Sequence, residues 1–190
     1  MLPSTLLIPA FTQMLQALNG WLDKASAFQQ ALGQDSNALL SLRLAPDMYP
    51  LAAQIRFACF QAMEPLCRLA GQPVPDRFDR IRQDGVDAGN KPGSLQDARA
   101  CLAETLAALS AIAPISVDEG SDAPITLTLP NDLIFDMTRD QYIRDWALPQ
   151  FHFHLITAYA ILRHHGVELG KADYVPHMFA YARQVPERQD

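Results

Sequence analysis

The sequence predicts an all-α fold: a four-helix bundle with one long crossover and a small β-hairpin insertion before the last helix. Three observations predict it. Apolar residues recur at three- and four-residue steps in four segments, two short strand-like runs precede the last segment, and Pro and Gly interrupt the chain between the second and third. We expect the bundle to occupy residues 1–170, followed by a partly flexible extension over residues 171–190.

The first two long helices are predicted from their apolar stripes and their terminal residues. One is expected from about Thr5 to Ala31, with Gly33 as its stop. A short helical turn is expected over residues 36–42. The second long helix is expected to begin near residues 47–50, where Asp47 suits an N-cap and a proline suits the opening turn.

The middle of the chain contains a predicted crossover and a third helix. Residues 71–93 carry too many Pro and Gly residues for a long regular element, so we expect a crossover or surface excursion. Ser94 followed by Asp97 resembles a capping box and predicts the start of the third helix, which ends before Pro114.

A hairpin and the last helix are predicted after residue 124. Residues 125–129 alternate apolar and hydroxyl side chains, residues 133–137 form a second short run, and Pro130–Asp132 can turn between them. The last helix is expected to start at Thr138, with a break permitted at Pro149, and to stop at Gly166.

Charge and motif content disfavour several classes of protein. Fifteen basic and twenty-one acidic residues leave a net charge of -6, so no global basic field is available for nucleic acid. The chain has no apolar run of about 18 residues, and its first basic residue is Lys24, so we expect a cytoplasmic protein without a membrane span. It also lacks a Gly-rich phosphate loop, a G-x-S-x-G elbow and an H-E-x-x-H motif.

Cysteine and histidine are the residue types most relevant to chemistry. Three cysteines without a C-x-x-C motif are expected to be reduced and mostly buried. Four of the five histidines fall in the last helix: His152, His154, His164 and His165. None of these forms an i, i+3 or i, i+4 pair, which is the spacing that puts two imidazoles on one metal ion. A three-ligand site would have to recruit Asp47, Cys59 or Glu64.

The histidines permit structural and functional interpretations. His164 and His165 suit the negative end of the helix dipole. His154, between Phe153 and Leu155, is either an interior imidazole hydrogen-bonded to a carboxylate or hydroxyl, or a group that handles a ligand. Asp47 likewise serves either as an N-cap or in a site.

Two stretches resemble a known bacterial family. They are residues 43–59, RLAPDMYPLAAQIRFAC, and residues 148–166, LPQFHFHLITAYAILRHHG, the latter followed by VELGKADY. Together they resemble the domain-of-unknown-function family numbered nineteen ninety-three, from Met1 to about Tyr174. That family is grouped with the DinB/YfiT-like metalloenzyme superfamily, so the resemblance implies a DinB-like up-down-down-up four-helix bundle, often dimeric.

The resemblance also bears on metal binding. DinB-like members hold a divalent metal, commonly nickel or zinc, with one His on the second helix and an H-x-x-x-H pair on the last core helix. The resemblance places Gln150 and His154 at the two positions of the H-x-x-x-H pair, and residues 57–59 near the position of the histidine on the second helix. Only His154 matches a metal ligand of that family. This implies either a lost metal with a retained pocket, or ligands moved to residues such as Asp47 beside His154.

Three functional hypotheses remain. The leading one is a homodimer without a bound metal cofactor, whose small-molecule pocket is lined by Asp47, Tyr49, Cys59, His154 and Tyr159. It rests on the two motifs, which a bundle can bring together. The alternative is a thiol transferase or hydrolase that depends on Zn or Ni, and the third is an interaction module that only dimerises. No catalytic residue is assigned, although a base at His154 acting on Cys59 is a further hypothesis.

Overall fold

The computed structural model describes residues 1–120, 123–129 and 132–183, and its long helices form the predicted bundle. The helices in chain order are α1 (Pro3–Ala31), α2 (Leu51–Leu69), α3 (Asp76–Asp87), α4 (Leu95–Ala111), α5 (Pro114–Asp118), α6 (Arg139–Gln141), α7 (Leu148–His164) and α8 (Lys171–Tyr174). Short 3₁₀ segments occupy Ser36–Ser41 and Pro176–Tyr181. Helix α2 packs against α3, α4 and α7, and α1 packs against α4 and α7. The predicted all-α bundle is therefore confirmed.

The first two helices differ from the prediction mainly at the start of α2. Helix α1 ends at Ala31, and Gly33 follows with a φ of 66°, as its role as a stop requires. Helix α2 begins at Leu51 with Pro50 as its N-cap residue, so the N-cap role predicted for Asp47 is wrong. The Leu51 N–H donates to the Leu42 carbonyl at 2.8 Å, so backbone pairing supplies the partner that the Asp47 side chain was expected to provide.

The crossover contains a helix that the prediction missed. Helix α3 buries Phe78 and Ile81, and it packs closely on α2. Gly85 is buried in its last turn, where an added Cβ would lie 2.7 Å from the Phe57 ring. This glycine therefore permits close approach of two helices, although the sequence suggested that it interrupts a regular element.

The third helix and the hairpin follow the prediction. Ser94 and Asp97 form the capping box of α4: the Asp97 N–H donates to the Ser94 hydroxyl, and the Ser94 N–H donates to the Asp97 carboxylate. Strands β1 (Ile125–Thr128) and β2 (Ile134–Met137) pair antiparallel, with Ile125 opposite Met137. Of the predicted turn, Pro130 and Asn131 lie outside the described residues.

The last helix continues through the position where a break was permitted. Thr138 and Gln141 form a capping box, α6 leads into a π-helical segment over Tyr142–Ala147, and α7 follows directly. The Leu148 N–H donates to the carbonyl five residues earlier, which widens this turn. The wide turn accommodates Pro149, whose ring would collide with the carbonyl four residues earlier in a regular helix. Gly166, with a φ of 92°, follows the end of α7.

The segment after residue 170 packs against α1 in its described part. Tyr174 stacks on Trp21 with the ring centroids 5.7 Å apart, and the Trp21 indole N–H donates to the Asp173 carbonyl at 2.7 Å. Lys24 pairs with the Asp173 carboxylate. Residues 184–190 of the predicted extension lie outside the described residues. Within residues 1–120, 123–129 and 132–183, no helix has the length and apolarity that crossing a bilayer requires.

Candidate functional site

The central contact of the candidate site joins α7 to α2. His154 lies midway along α7, and its Nδ1 is 2.9 Å from the amide oxygen of Gln54 on α2. Gln54 is only 2% exposed, and its amide nitrogen donates to the Tyr49 carbonyl at 3.3 Å. The turn that precedes α2 is thus connected to the middle of α7 through one buried amide.

This chain of hydrogen bonds fixes the tautomer of His154. Because the Gln54 nitrogen donates to a carbonyl, the Gln54 oxygen is the atom that faces the imidazole. An amide oxygen can only accept a hydrogen bond, so Nδ1 carries the proton and donates it. Nε2 then has a free lone pair, and the described part of the chain supplies no hydrogen-bond partner for it.

Burial keeps this imidazole neutral. Removal of water from the half-buried ring lowers the pKa of His154 to about 4. Two residues earlier, burial also lowers the pKa of His152. At neutral pH, His154 is therefore an uncharged acceptor at Nε2, able to receive a hydrogen bond from an N–H, O–H or S–H group.

Aromatic rings surround the imidazole. The Phe57 and Phe153 centroids lie 5.0 and 5.4 Å from that of His154, and Tyr49 contacts Phe57 at 5.1 Å. Tyr49 and Phe153 are exposed, whereas Phe57 is partly buried. We refer to these residues and Gln54 as the His154 site. It combines a neutral acceptor with an apolar, accessible rim, which suits a small organic molecule.

The structure brings together two of the residues that the sequence assigned to a pocket. Tyr49 and His154 are joined through Gln54 and Phe57. Asp47 lies in the same preceding turn, where it is exposed. The convergence of the two motifs places these groups on one side of the bundle.

The other two assigned residues pack elsewhere. Cys59 is fully buried towards α4, where it meets Cys101 and Thr105, and burial followed by the neighbouring Cys101 raises its pKa well above the usual range. This environment opposes the hypothesis that Cys59 is an activated nucleophile. Tyr159 packs against Trp21 and Tyr174 at 5.4 and 5.9 Å, on the α1 side of α7.

Gln54 is a residue of the candidate site that the sequence analysis missed. It lies three residues after Leu51 and four before Ala58, so it falls on the buried stripe of α2. A polar residue at a core position needs a partner, and this was the available signal. It was missed because the partner is a hundred residues away in the sequence.

The residues around His154 do not fit the three-histidine centre that the resemblance implies. The α2 partner is an amide, and Gln150 stands one turn before His154. No group of three or more His, Cys, Asp or Glu side chains suited to a metal occurs within the described ranges. Glu64, a recruit considered from sequence, lies about 15 Å along α2 from Gln54 and pairs with Arg68 and Tyr142.

The fold and its converging second and last long helices define a DinB-like helical-bundle protein. Its structure is similar to the crystal structure, at 1.83 Å resolution, of a DinB family member protein from Shewanella denitrificans. The TM-score is 0.74 with 30% identity, and the match covers 98% of this chain and 95% of that one. The chain belongs to the DUF1993 family, a domain of unknown function, whose model matches residues 4–175. The curated proteins give no significant match.

Proposed function

We propose that this DinB-like protein is a homodimer that binds a small organic molecule at the His154 site and that its metal site is degenerate. The ligand offers an N–H, O–H or S–H donor to His154 Nε2 and an apolar part to the rings of Phe57 and Phe153. Cys59 and Tyr159, which the sequence assigned to this pocket, are not part of the proposed site because they pack elsewhere. Its three free cysteines suit the cytoplasm, where we propose that it works.

One observation carries this proposal: the 2.9 Å hydrogen bond between His154 and the buried Gln54 amide. It holds the ring in one tautomer and leaves Nε2 without a proton, as an acceptor. A histidine that served only to satisfy a core amide would not need exposed aromatic residues beside it. Tyr49 and Phe153 are such residues.

Long-range ¹H–¹⁵N NMR spectra of the histidine rings test the tautomer. We expect His154 to show a protonated Nδ1 and an unprotonated Nε2 at pH 7, and Gln54→Leu to abolish that preference because the acceptor is lost. A spectrum with the proton on Nε2 contradicts the proposal, since the nitrogen available to a ligand would then be a donor.

Native mass spectrometry of untagged protein tests binding. We expect a small molecule to copurify with the wild type and to appear as added mass on the protein. We expect His154→Ala to lack this added mass. His164→Ala, at an exposed position near the end of α7, is the matched control and retains it. If His154→Ala keeps the added mass of the bound molecule but changes self-association, the result favours an interaction module over a pocket at His154.

The alternative function is a thiol transferase or hydrolase that depends on Zn or Ni. It requires near-stoichiometric metal, because each of these reactions uses the ion to polarise a thiol or water. Elemental analysis of untagged protein distinguishes the two proposals. We expect less than roughly a tenth of an equivalent of any divalent metal, and a full equivalent that is lost in His154→Ala would establish the alternative.

A further inference from the structure

A cavity lies beside the C-terminal half of α2, where neither the sequence motifs nor the His154 site reach. Its volume is about 620 Å³, within the range of small-molecule pockets. Residues from α2, α3, the hairpin and the π-helical segment line it. Gln61, a residue of its wall, lies about 10 Å farther along α2 than Gln54.

The cavity wall contains an unpartnered amide. The side-chain oxygen of Gln61 is buried, and it has no hydrogen-bond partner within the described residues. A buried carbonyl without a donor is destabilising, because it has lost its bonds to water and gained none. That oxygen has almost no accessible surface in its present position, so an N–H group of a molecule in this cavity would bond to it once the Gln61 side chain turns towards the cavity.

The charged groups of the wall differ in how many of their hydrogen-bonding atoms already have a partner. Both oxygens of Glu64 are occupied, since Arg68 donates to one and the Tyr142 hydroxyl donates to the other at 2.7 Å. Burial, followed by the Glu64 charge, raises the pKa of Tyr142, so its hydroxyl remains a donor. Glu64 is therefore a fixed part of the wall and does not compete for a ligand.

Arg82 has unused hydrogen-bonding capacity. Its Nε is 4.0 Å from the Asp79 carboxylate, the outer limit of an ion pair, and the described chain gives its terminal nitrogens no partner. Its guanidinium lies 5.8 Å from the centroid of the Phe60 ring. A guanidinium with two free N–H groups matches the geometry of a carboxylate.

Two aromatic side chains complete the wall. Phe60 is largely buried on α2, and Trp146 comes from the π-helical segment, whose extra residue per turn shifts the register of the helix there. Trp146 also packs against Phe135 of β2 at 6.1 Å. Segments of π-helix recur at functional sites because they place a side chain where a regular helix would not.

We propose that this cavity binds a small aromatic carboxylate that carries an N–H group, such as an N-aroyl amino acid. The carboxylate pairs with Arg82, the N–H donates to the Gln61 carbonyl, and the ring packs on Phe60 and Trp146. No covalent step is involved. This assignment is independent of the His154 site.

Hippurate, which is N-benzoylglycine, is the probe because it has all three groups. The chain contains two tryptophans, so the indole N–H region of a ¹H–¹⁵N spectrum holds two signals. We expect hippurate to shift the Trp146 signal saturably and to leave that of Trp21, which is buried and bonded to Asp173, in place. Hippurate methyl ester, which lacks the carboxylate, is expected to bind at least about tenfold more weakly.

Variants identify the groups that bind hippurate. Arg82→Gln is expected to weaken binding about tenfold or more, and Gln61→Leu by a similar factor, since each removes one partner. Arg80→Gln removes the same charge from an exposed position on α3 outside the cavity and is expected to leave the affinity unchanged. No saturable Trp146 shift at millimolar hippurate overturns the proposal, as does equal weakening by Arg80→Gln and Arg82→Gln.

Discussion

A single buried amide determines what His154 can do. Gln54 accepts from Nδ1 and donates to the Tyr49 carbonyl, so each of its two groups has one assigned partner. A carboxylate at this position would favour the imidazolium, whereas an amide favours the neutral ring. The amide partner therefore makes His154 an acceptor at neutral pH.

The lowered pKa of His154 predicts how stability depends on pH. The unfolded chain takes up a proton at His154 below its ordinary pKa of about 6.5, whereas the folded chain resists it down to about 4. The unfolded state thus binds more protons in this window, so the free energy of unfolding falls as pH drops from 6.5 to 4. Above pH 6.5 the group contributes no slope.

Urea unfolding of wild type and His154→Gln at pH 7 and 4.5 measures this effect. We expect the wild type to lose about 2 kcal/mol more than the variant between the two pH values. His164→Gln, at an exposed site on the same helix, is expected to follow the wild type. Parallel losses in wild type and His154→Gln would contradict the assignment of a buried, neutral imidazole.

The pairing of Glu64 with Tyr142 predicts a second effect on stability. Tyr142→Phe leaves one oxygen of a carboxylate that is 4% exposed without its donor, and this is expected to cost about 1–3 kcal/mol. The loss is expected to shrink in a Glu64→Leu background, because no carboxylate remains to be satisfied. Urea unfolding of both single variants and the double variant measures it. Tyr181→Phe, at an exposed tyrosine, should change nothing.

At the scale of elements, the contact between α2 and α3 depends on a glycine. Gly85→Ala gains helix propensity of about 1 kcal/mol, but its Cβ would lie 2.7 Å from the Phe57 ring and 3.3 Å from the Arg56 Cβ. Overpacking of this kind costs about 1–3 kcal/mol, so we expect a net loss of stability. Phe57 also touches His154, so the ¹⁵N signals of that imidazole should move.

Gly89→Ala is the matched control for this prediction. Its added Cβ would meet nothing within 4 Å, so we expect a change within about 0.5 kcal/mol and no shift at His154. Thermal unfolding measures the stability of both variants, and the histidine ¹⁵N spectra measure the shift at His154. If Gly85→Ala is as stable as Gly89→Ala, the close approach of α3 to α2 is not constrained by this residue.

The sequence predicted elements where one local rule was sufficient. The stripes of α1, α2, α4 and α7 and the capping boxes at Ser94 and Thr138 depend on spacings within a few residues. Helix α3 was missed because a glycine such as Gly85 has low helix propensity and so suggests an interruption. In the structure Gly85 instead permits close packing of α3 on α2, which cannot be seen without the position of α2. Asp47 is a residue type that favours the N-cap position, but α2 begins four residues later, at Leu51, and Pro50 occupies the N-cap position.

The candidate sites were less predictable than the fold. The sequence identified His154 and the turn containing Tyr49, since their motifs are contiguous. It could not identify Gln54 as their connection, or the cavity at Gln61 and Arg82, because these depend on which faces of separate helices meet. Long-range pairing is a property of packing, and one sequence carries no direct signal of it.

At the scale of the whole molecule, α2 supports both sites. Its first half holds Gln54 and Phe57 beneath α7, and its second half holds Gln61 and Glu64 beneath the π-helical segment. The same continuous stretch from Arg139 to His164 faces both halves. The two proposed sites therefore share two helical elements, although their proposed ligands differ.

The outward face of α7 supports the proposed homodimer. Phe153, which belongs to the rim of the His154 site, and Ile156 are 55% and 47% exposed and lie three residues apart, so they project from one face of the helix. Self-association would remove this apolar surface from water. In a twofold dimer each residue occurs twice in the interface, so one substitution changes the interface at two places.

Sedimentation velocity of Ile156→Glu therefore tests the dimer. We expect the wild type to be dimeric at tens of micromolar and the variant to associate at least about a hundredfold more weakly, because two carboxylates would have to be buried or brought close together. Ile115→Glu adds the same charge at an isoleucine of α5 that is 58% exposed and is expected to leave the dimer intact. A monomeric wild type, or equal dissociation of both variants, would remove the dimer from the proposal while leaving the tautomer of His154 unaffected.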